Sequence, residues 1–222
     1  MSDTVILSGL EASSALYDSL HARIDALKSK QIIPGLAAIL VGENPASQIY
    51  IRNKTKKFDS LGLKSEIHRL EEDVSEEELL RLINQINNDD TFHGILVQLP
   101  LPNHIDSQKI IHAISPTKDV DGFHPENAGL LSIGTPRFVP CTPKGIMYIL
   151  EHFNIKLHGQ HVVVVGRSNI VGRPVSVLSS LKSLGNATVT ICHSGTSDLK
   201  QFTTQGDIVV AAKGSPEFLD AS

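Results

Sequence analysis

The chain has 222 residues, of which 41% are hydrophobic and 20% charged, and its net charge of −4 is spread along its length. A chain of this size buries a substantial core as one large domain or two small ones, and its charge balance argues against a nucleic-acid partner. Two cysteines, Cys141 and Cys192, stand far apart and outside any CxxC, which argues against a disulfide framework or a zinc site. No N-terminal stretch resembles a signal peptide and no apolar run approaches membrane-spanning length, so no membrane partner is expected and the cytoplasm is the expected address.

Residues 8–30 carry Leu10, Ala12, Leu16, Leu20, Ile24 and Leu27 at helical spacing and end in lysines that suit the helix dipole. Gly35–Val41 is a continuous apolar run and reads as a buried strand. A helix should follow, with Asn44 capping free N–H groups, Pro45 at the first position and Gly62 where it stops. Tyr50 and Lys54 are four residues apart and share one face of that helix. A phenol and an ammonium at a strand-to-helix corner can bind a substrate and move a proton. An ordinary amphipathic helix, with Tyr over the core and Lys in water, accounts for this stretch taken alone.

Lys64–Leu70 alternates as a second strand. Ser75-Glu-Glu-Glu78 is a capping box opening a helix to about Asn88, with Leu79, Leu82, Ile83 and Ile86 on its apolar side. A third strand, from Gly94, is broken by Pro100 and Pro102, and Asn103–Ile114 reads as another helix. Strands alternating with helices predict βαβ units and parallel sheets, with ligands at the carboxyl ends of strands. Gln98 lies at such an end, and its amide needs partners if buried; Lys54 is the candidate. In Lys118-Asp-Val-Asp-Gly-Phe123, Asp119 and Asp121 would face alike if the backbone were extended. Asp121 could accept hydrogen bonds from the amino group and ring nitrogen of a heterocycle. The spacing is wrong for a calcium loop.

Residues 116–141 show little periodicity and many Gly/Pro breaks, as expected of a functional connection or a boundary. The expected division is 1–141 and 142–222. Thr142-Pro143 should cap a helix through Phe153 into the second unit. There, strand His161–Val165 runs into Gly166-Arg-Ser-Asn-Ile-Val-Gly172 and a helix to about Leu184, the pattern of a dinucleotide-binding turn with spacing unlike GxGxxG. The next strand, Ala187–Ile191, is followed by Cys192-His193-Ser194, without the carboxylate that would bind an NAD ribose. With Arg167 in the preceding turn, this suits a 2′-phosphate and hence NADP. A short helix Thr196–Thr203 and a strand Asp207–Ala212 complete the pattern.

The segments VGENPASQIYIRNK, ILVQLPLP, PTKDVDGFHPENAG, PCTPKG and VVVVGRSNIVGRP occur in this order. Together they resemble the bifunctional methylenetetrahydrofolate dehydrogenase/methenyltetrahydrofolate cyclohydrolases, over essentially the whole sequence. The resemblance implies two α/β domains flanking a cleft, the second of Rossmann type, and usually a homodimer through that second domain. It implies NADP-dependent oxidation of methylene-tetrahydrofolate to the methenyl cation, then hydrolysis to formyl-tetrahydrofolate. Tyr50, Lys54, Gln98, Leu99, Pro100 and Asp121 fall at the folate positions, with Lys54, Tyr50 and Gln98 in the catalytic roles. Gly166, Arg167, Ser168, Ile170, Val171, Gly172, His193 and Ser194 fall at the NADP positions. In that family further strands, a Gly/Pro-rich segment and a terminal helix follow the position of Ser222, so the resemblance leads us to expect a C-terminally shortened chain, less stable and slower than a completed one.

Two other readings were weighed. Tyr50-x-x-x-Lys54 is formally the catalytic motif of short-chain dehydrogenases, but those carry their glycine turn near the N-terminus, whereas Gly166 lies far downstream of Lys54. A non-catalytic nucleotide-binding module would take up one ligand or neither.

Overall fold

The computed structural model describes residues 4–214. It contains two three-stranded parallel sheets, each flanked by helices. Helix α1 (Gly9–Lys28) precedes β1 (Gly35–Val41), α2 (Pro45–Ser60), β2 (Lys64–Leu70), α3 (Glu76–Asn87), β3 (Gly94–Val97) and α4 (Ser107–Ala113). The first sheet has the order β2-β1-β3. Ile95 also bridges in parallel to Asp119, so the 118–120 segment lies along β3 as a further edge.

All seven residues of β1 are buried, as the unbroken apolar run predicts for a central parallel strand. Alternate side chains serve two cores. Ala37, Ile39 and Val41 join Leu79, Ile83 and Ile86 of α3, with Ile110 of α4, on one face. Leu36, Ala38 and Leu40 join Ile51 of α2 on the other. A fully buried Ile or Leu contributes roughly 1.5–3 kcal/mol of hydrophobic stabilisation, so these two clusters fix where α2 and α3 lie. At the start of α2, Asn44 Oδ1 accepts from the Ser47 N–H at 3.1 Å and Pro45 takes the first position. Gly62 follows its end with φ of +65°, a conformation few side chains tolerate. Ser75 caps α3, and Lys118 Nζ donates to the carbonyls of Ile86 (2.9 Å) and Asp89 (2.8 Å) at its far end. There the cation satisfies orphan acceptors and opposes the helix dipole.

The second sheet has the order β5-β4-β6, from β4 (His161–Val165), β5 (Thr188–Cys192) and β6 (Ile208–Ala211). Between the sheets in sequence come α5 (Pro125–Ser132) and α6 (Cys141–His152); α7 (Gly172–Ser180) follows β4 and α8 (Leu199–Thr203) follows β5. Val162 and Val164 pack with Val175 and Leu157, while Val163 and Val165 pack with Cys192, Leu199 and Phe202. The two cysteines form no disulfide. By backbone proximity the chain forms two compact units, Ser14–Glu126 and the part from Asn127 onward joined by the first turn of α1.

Several local expectations are corrected, α7 ending at Ser180 rather than near Leu184 and α8 beginning at Leu199 rather than Thr196 among them. The 116–141 connection holds a helix, α5, because Pro125 starts it and buried Asn127 and Leu131 anchor it despite poor periodicity. Helix α4 begins at Ser107 rather than Asn103, because Asp106 caps it with bonds from the Gln108 and Lys109 N–H groups. Helix α6 begins at Cys141 with Pro140 before it and no side-chain cap, so Thr142 lies inside the first turn. Ladder pairing of β3 ends at Val97, and a cis peptide follows between Leu99 and Pro100.

Candidate active site

The first group of chemically active side chains gathers at the carboxyl ends of β1 and β3 and on the adjoining segment. Ile51, fully buried against Leu36, Ala38, Leu40 and Leu96, sets the rotation of α2. That rotation leaves Tyr50 63% exposed and Lys54, one turn on, half-buried. Gln98 leaves β3 with its N–H donating to the Ile39 carbonyl at 2.9 Å. Its side-chain N–H donates to the Leu99 carbonyl at 2.8 Å, beside the cis Leu99–Pro100 bond, and among the described residues no hydrogen bond joins it to the expected partner Lys54. Among the described residues Lys54 donates no hydrogen bond, and its charge is felt at Asp121.

Asp119 and Asp121 do not face alike, because the backbone turns between them. Asp119 is 2% exposed and accepts from the Phe123 N–H (3.3 Å) and the His124 N–H (2.9 Å). The Gly122 N–H bonds back to the Asp119 carbonyl at 3.1 Å, with Gly122 at φ of +70°. Asp119 therefore builds the turn and Asp121 is displayed by it. Val120 packs on the Ile51 cluster, which draws the turn toward α2. Only glycine fits at 94, where a Cβ would come within 2.4 Å of Val120 Cγ1.

Burial above all, with the Asp119 charge adding to it and Lys54 opposing, pushes the Asp121 carboxyl up to about 6. A carboxyl harder to ionise in the fold than in the unfolded chain gives its full contribution below the unfolded value and loses it as pH rises through 6. At neutral pH the ionised Asp121 thus costs the ligand-free fold about 1–2 kcal/mol, discounted for its partial exposure. Asp121→Asn should melt several degrees higher than the parent at pH 7, with the gap closing near pH 4. A gap independent of pH would show that charge is not its source.

The second group surrounds the turn after β4. Gly166 has φ of +134°, and a Cβ there would lie 2.5 Å from the Ala212 carbonyl oxygen; a Cβ on Gly172 would lie 2.2 Å from the Gly166 oxygen. These glycines let the protein's own backbone close the turn. Ser168 Oγ accepts from the N–H groups of Val171 (3.1 Å) and Gly172 (3.4 Å), which starts α7. After β5, the Gly195 N–H donates to His193 Nδ1 at 3.0 Å, so the ring carries its proton on Nε2. Gly166, Arg167, Ser168, His193 and Ser194 line one cavity of about 300 Å³. Ile170, Val171 and Gly172 shape the turn without lining it. Leu199, Ala212 and Lys213 also line the cavity and were not singled out from the sequence; the carboxyl-end rule applied to β6 would have found the last two. No carboxylate lines the cavity among the described residues. Two cations, hydroxyls and a helix start make it fit for an anionic dinucleotide.

Comparison with known proteins follows the same division. The profile of the tetrahydrofolate dehydrogenase/cyclohydrolase catalytic domain matches residues 7–121, and that of the corresponding NAD(P)-binding domain matches residues 140–222. The bifunctional protein FolD of Polaromonas naphthalenivorans is 51% identical over 97% of this chain and 76% of its own length. The FolD protein of Ruminiclostridium cellulolyticum is 50% identical over 96% of this chain and 74% of its own. Among solved structures, the bifunctional FolD methylenetetrahydrofolate dehydrogenase/cyclohydrolase of Campylobacter jejuni superposes with a TM-score of 0.92 at 45% identity, covering 97% of this chain and 76% of that one. The Trypanosoma brucei methylenetetrahydrofolate dehydrogenase-cyclohydrolase, solved with NADP and an inhibitor, gives 0.90 at 35% identity, covering 97% and 74%.

Proposed function

We infer the roles of these residues from one premise: the chain belongs to the tetrahydrofolate dehydrogenase/cyclohydrolase family. Its reaction is the NADP-dependent oxidation of methylene-tetrahydrofolate to methenyl-tetrahydrofolate, followed by hydrolysis to formyl-tetrahydrofolate. The folate part is taken as residues 1–141 and the cofactor part as 142–222. The observation that carries the assignment of residues is the turn closed on Asp119, which displays half-buried Asp121 within electrostatic reach of Lys54.

Asp121 holds the pterin. Its poorly solvated carboxylate gains two charge-assisted hydrogen bonds from the pterin amino group and ring N–H, which replace the solvent that burial removes. Tyr50, with its ring open to solvent, packs along the folate and helps position it. Leu99 and Pro100, beside the cis bond, shape the wall, and Gln98 braces it through its side-chain bond to the Leu99 carbonyl. NADP, when bound, supplies the hydride acceptor. Arg167 and Ser194 hold its 2′-phosphate, His193 offers an Nε2–H donor, and Gly166, Ser168, Ile170, Val171 and Gly172 form the turn beside it. Oxidation asks the protein for alignment rather than acid–base help.

Hydrolysis asks for more. Water adds to the methenyl carbon, and its proton passes to the Lys54 amine as the tetrahedral adduct forms. The resulting ammonium returns that proton to the departing ring nitrogen as the carbon–nitrogen bond breaks, and the hydroxyl of the adduct gives up its own proton to solvent as the formyl carbonyl forms on the other nitrogen. One proton is released overall, as a cation becomes a neutral product, and one side chain serves as base and then acid.

We take the working assembly to be a homodimer through the second domain and the setting to be cytoplasmic. Among the described residues no helix is long and apolar enough to cross a membrane. Separate calorimetric titrations with NADP and with a non-reacting folate analogue test the functional reading. The enzyme binds both, whereas a nucleotide-binding module binds one or neither.

A further inference from the structure

We propose that Lys213 is a second cation of the cofactor cavity and that it binds the pyrophosphate of the dinucleotide, leaving the 2′-phosphate to Arg167 and Ser194. The proposal rests on the NADP reading above and divides its charges between two places.

The argument starts from the strand order. Strand β4 is central, with β5 on one side and β6 on the other, and Val165 pairs with Cys192 of β5 and Ala211 of β6. His193 and Ser194 therefore leave the sheet on one flank of the Gly166 turn, and Ala212 and Lys213 on the opposite flank. Two strand spacings separate these flanks, roughly 10 Å. In a dinucleotide-binding βαβ unit the ribose bearing the 2′ substituent lies by the end of the second strand, which here is β5. The pyrophosphate lies over the turn itself, at the start of the following helix, which here is α7. Lys213 thus approaches the turn from the side away from the 2′-phosphate.

Its anchoring is firm. The Ala212 N–H donates to the Val165 carbonyl at 2.9 Å, and the Ala212 carbonyl sits so close to Gly166 that no Cβ fits between them. The residue next to Ala212 is thereby held at a fixed place beside the turn. Lys213 lines the same cavity as Gly166, Arg167 and Ser168. A lysine is a flexible point charge that needs no planar partner, which suits a pyrophosphate carrying charge on several oxygens.

The proposal makes NAD and NADP equivalent at Lys213 and unequal at Arg167, since both carry the pyrophosphate and only NADP the 2′-phosphate. Calorimetric titration of the unmodified chain, Lys213→Met, Lys213→Arg and Arg167→Ala with each dinucleotide separates the two. Lys213→Met should weaken NAD and NADP by the same factor, about tenfold, with a shallower salt dependence for both. Lys213→Arg should restore both, which separates lost charge from a damaged fold. Unchanged affinities in Lys213→Met, or failure of the Arg variant to restore them in a folded protein, overturn the proposal. A loss confined to NADP also overturns it, because Lys213 would then serve the 2′-phosphate. Failure of Arg167→Ala to discriminate between the dinucleotides strikes instead at the NADP reading.

Discussion

Replacing Lys54 with Met should slow the hydrolysis of methenyl-tetrahydrofolate by roughly 10²–10⁴, the range expected for a lost general acid–base group. The same variant should keep measurable dehydrogenase activity, so that methenyl-tetrahydrofolate accumulates. The asymmetry follows from what each step requires. Hydride transfer needs the two ligands aligned, and a Met side chain preserves much of the shape of Lys. Water addition and ring opening need a proton carrier, and the neighbours do not replace one. Asp121 is committed to the pterin, Gln98 does not titrate, and its amide is already tied to the Leu99 carbonyl. A phenol is a poor base near neutrality. Stopped-flow absorbance of the methenyl species, with folate affinity measured in parallel, checks this. Loss of both activities with folate binding intact would make Lys54 an aligning residue in both steps. Survival of both would make this face of α2 a mere surface.

Arg167→Ala should raise the KM for NADP by about 10–100-fold, as one lost charge-assisted hydrogen bond of about 1.5–3 kcal/mol implies, while that for NAD changes little. The argument is one of charge. The end of β5 carries His193 and Ser194 where an NAD-binding unit places a carboxylate, so nothing there repels a phosphate and Arg167 attracts it. Because Arg167 is exposed, the lower part of this range is expected at physiological salt. Steady-state kinetics with both cofactors decides the point, and equal losses would remove the assignment of Arg167 to the 2′-phosphate.

What could be read in advance differs between strand and side chain. The unbroken apolar runs at Gly35–Val41 and His161–Val165 could only be central strands, and both are. The α2 start was legible because Asn44 and Pro45 act locally, within one turn. Helix α5 was not, since its anchors Asn127 and Leu131 are buried by tertiary packing that no short window contains. The site followed the same rule. Lys54 and Tyr50 share a helix face by spacing alone, whereas the different duties of Asp119 and Asp121 depend on a turn closed by backbone bonds to Asp119. The expected bond from Gln98 to Lys54 is not made, and the Gln98 side-chain N–H donates to its own Leu99 carbonyl. Lys213 carries no motif at all. Its significance appears only when β6 is seen beside β4, across from β5.

The central claim is that Asp121, Tyr50 and Lys54 together hold a folate with its one-carbon bridge beside the amine. A crystal structure with a non-reacting methenyl-tetrahydrofolate analogue tests it most directly. The account predicts the pterin amino group and ring N–H within hydrogen-bond distance of the Asp121 carboxylate, the Tyr50 ring against the folate, and the bridge carbon within one water of Lys54 Nζ. A folate bound elsewhere, or bound there with Asp121 and Lys54 both turned away from it, would contradict it.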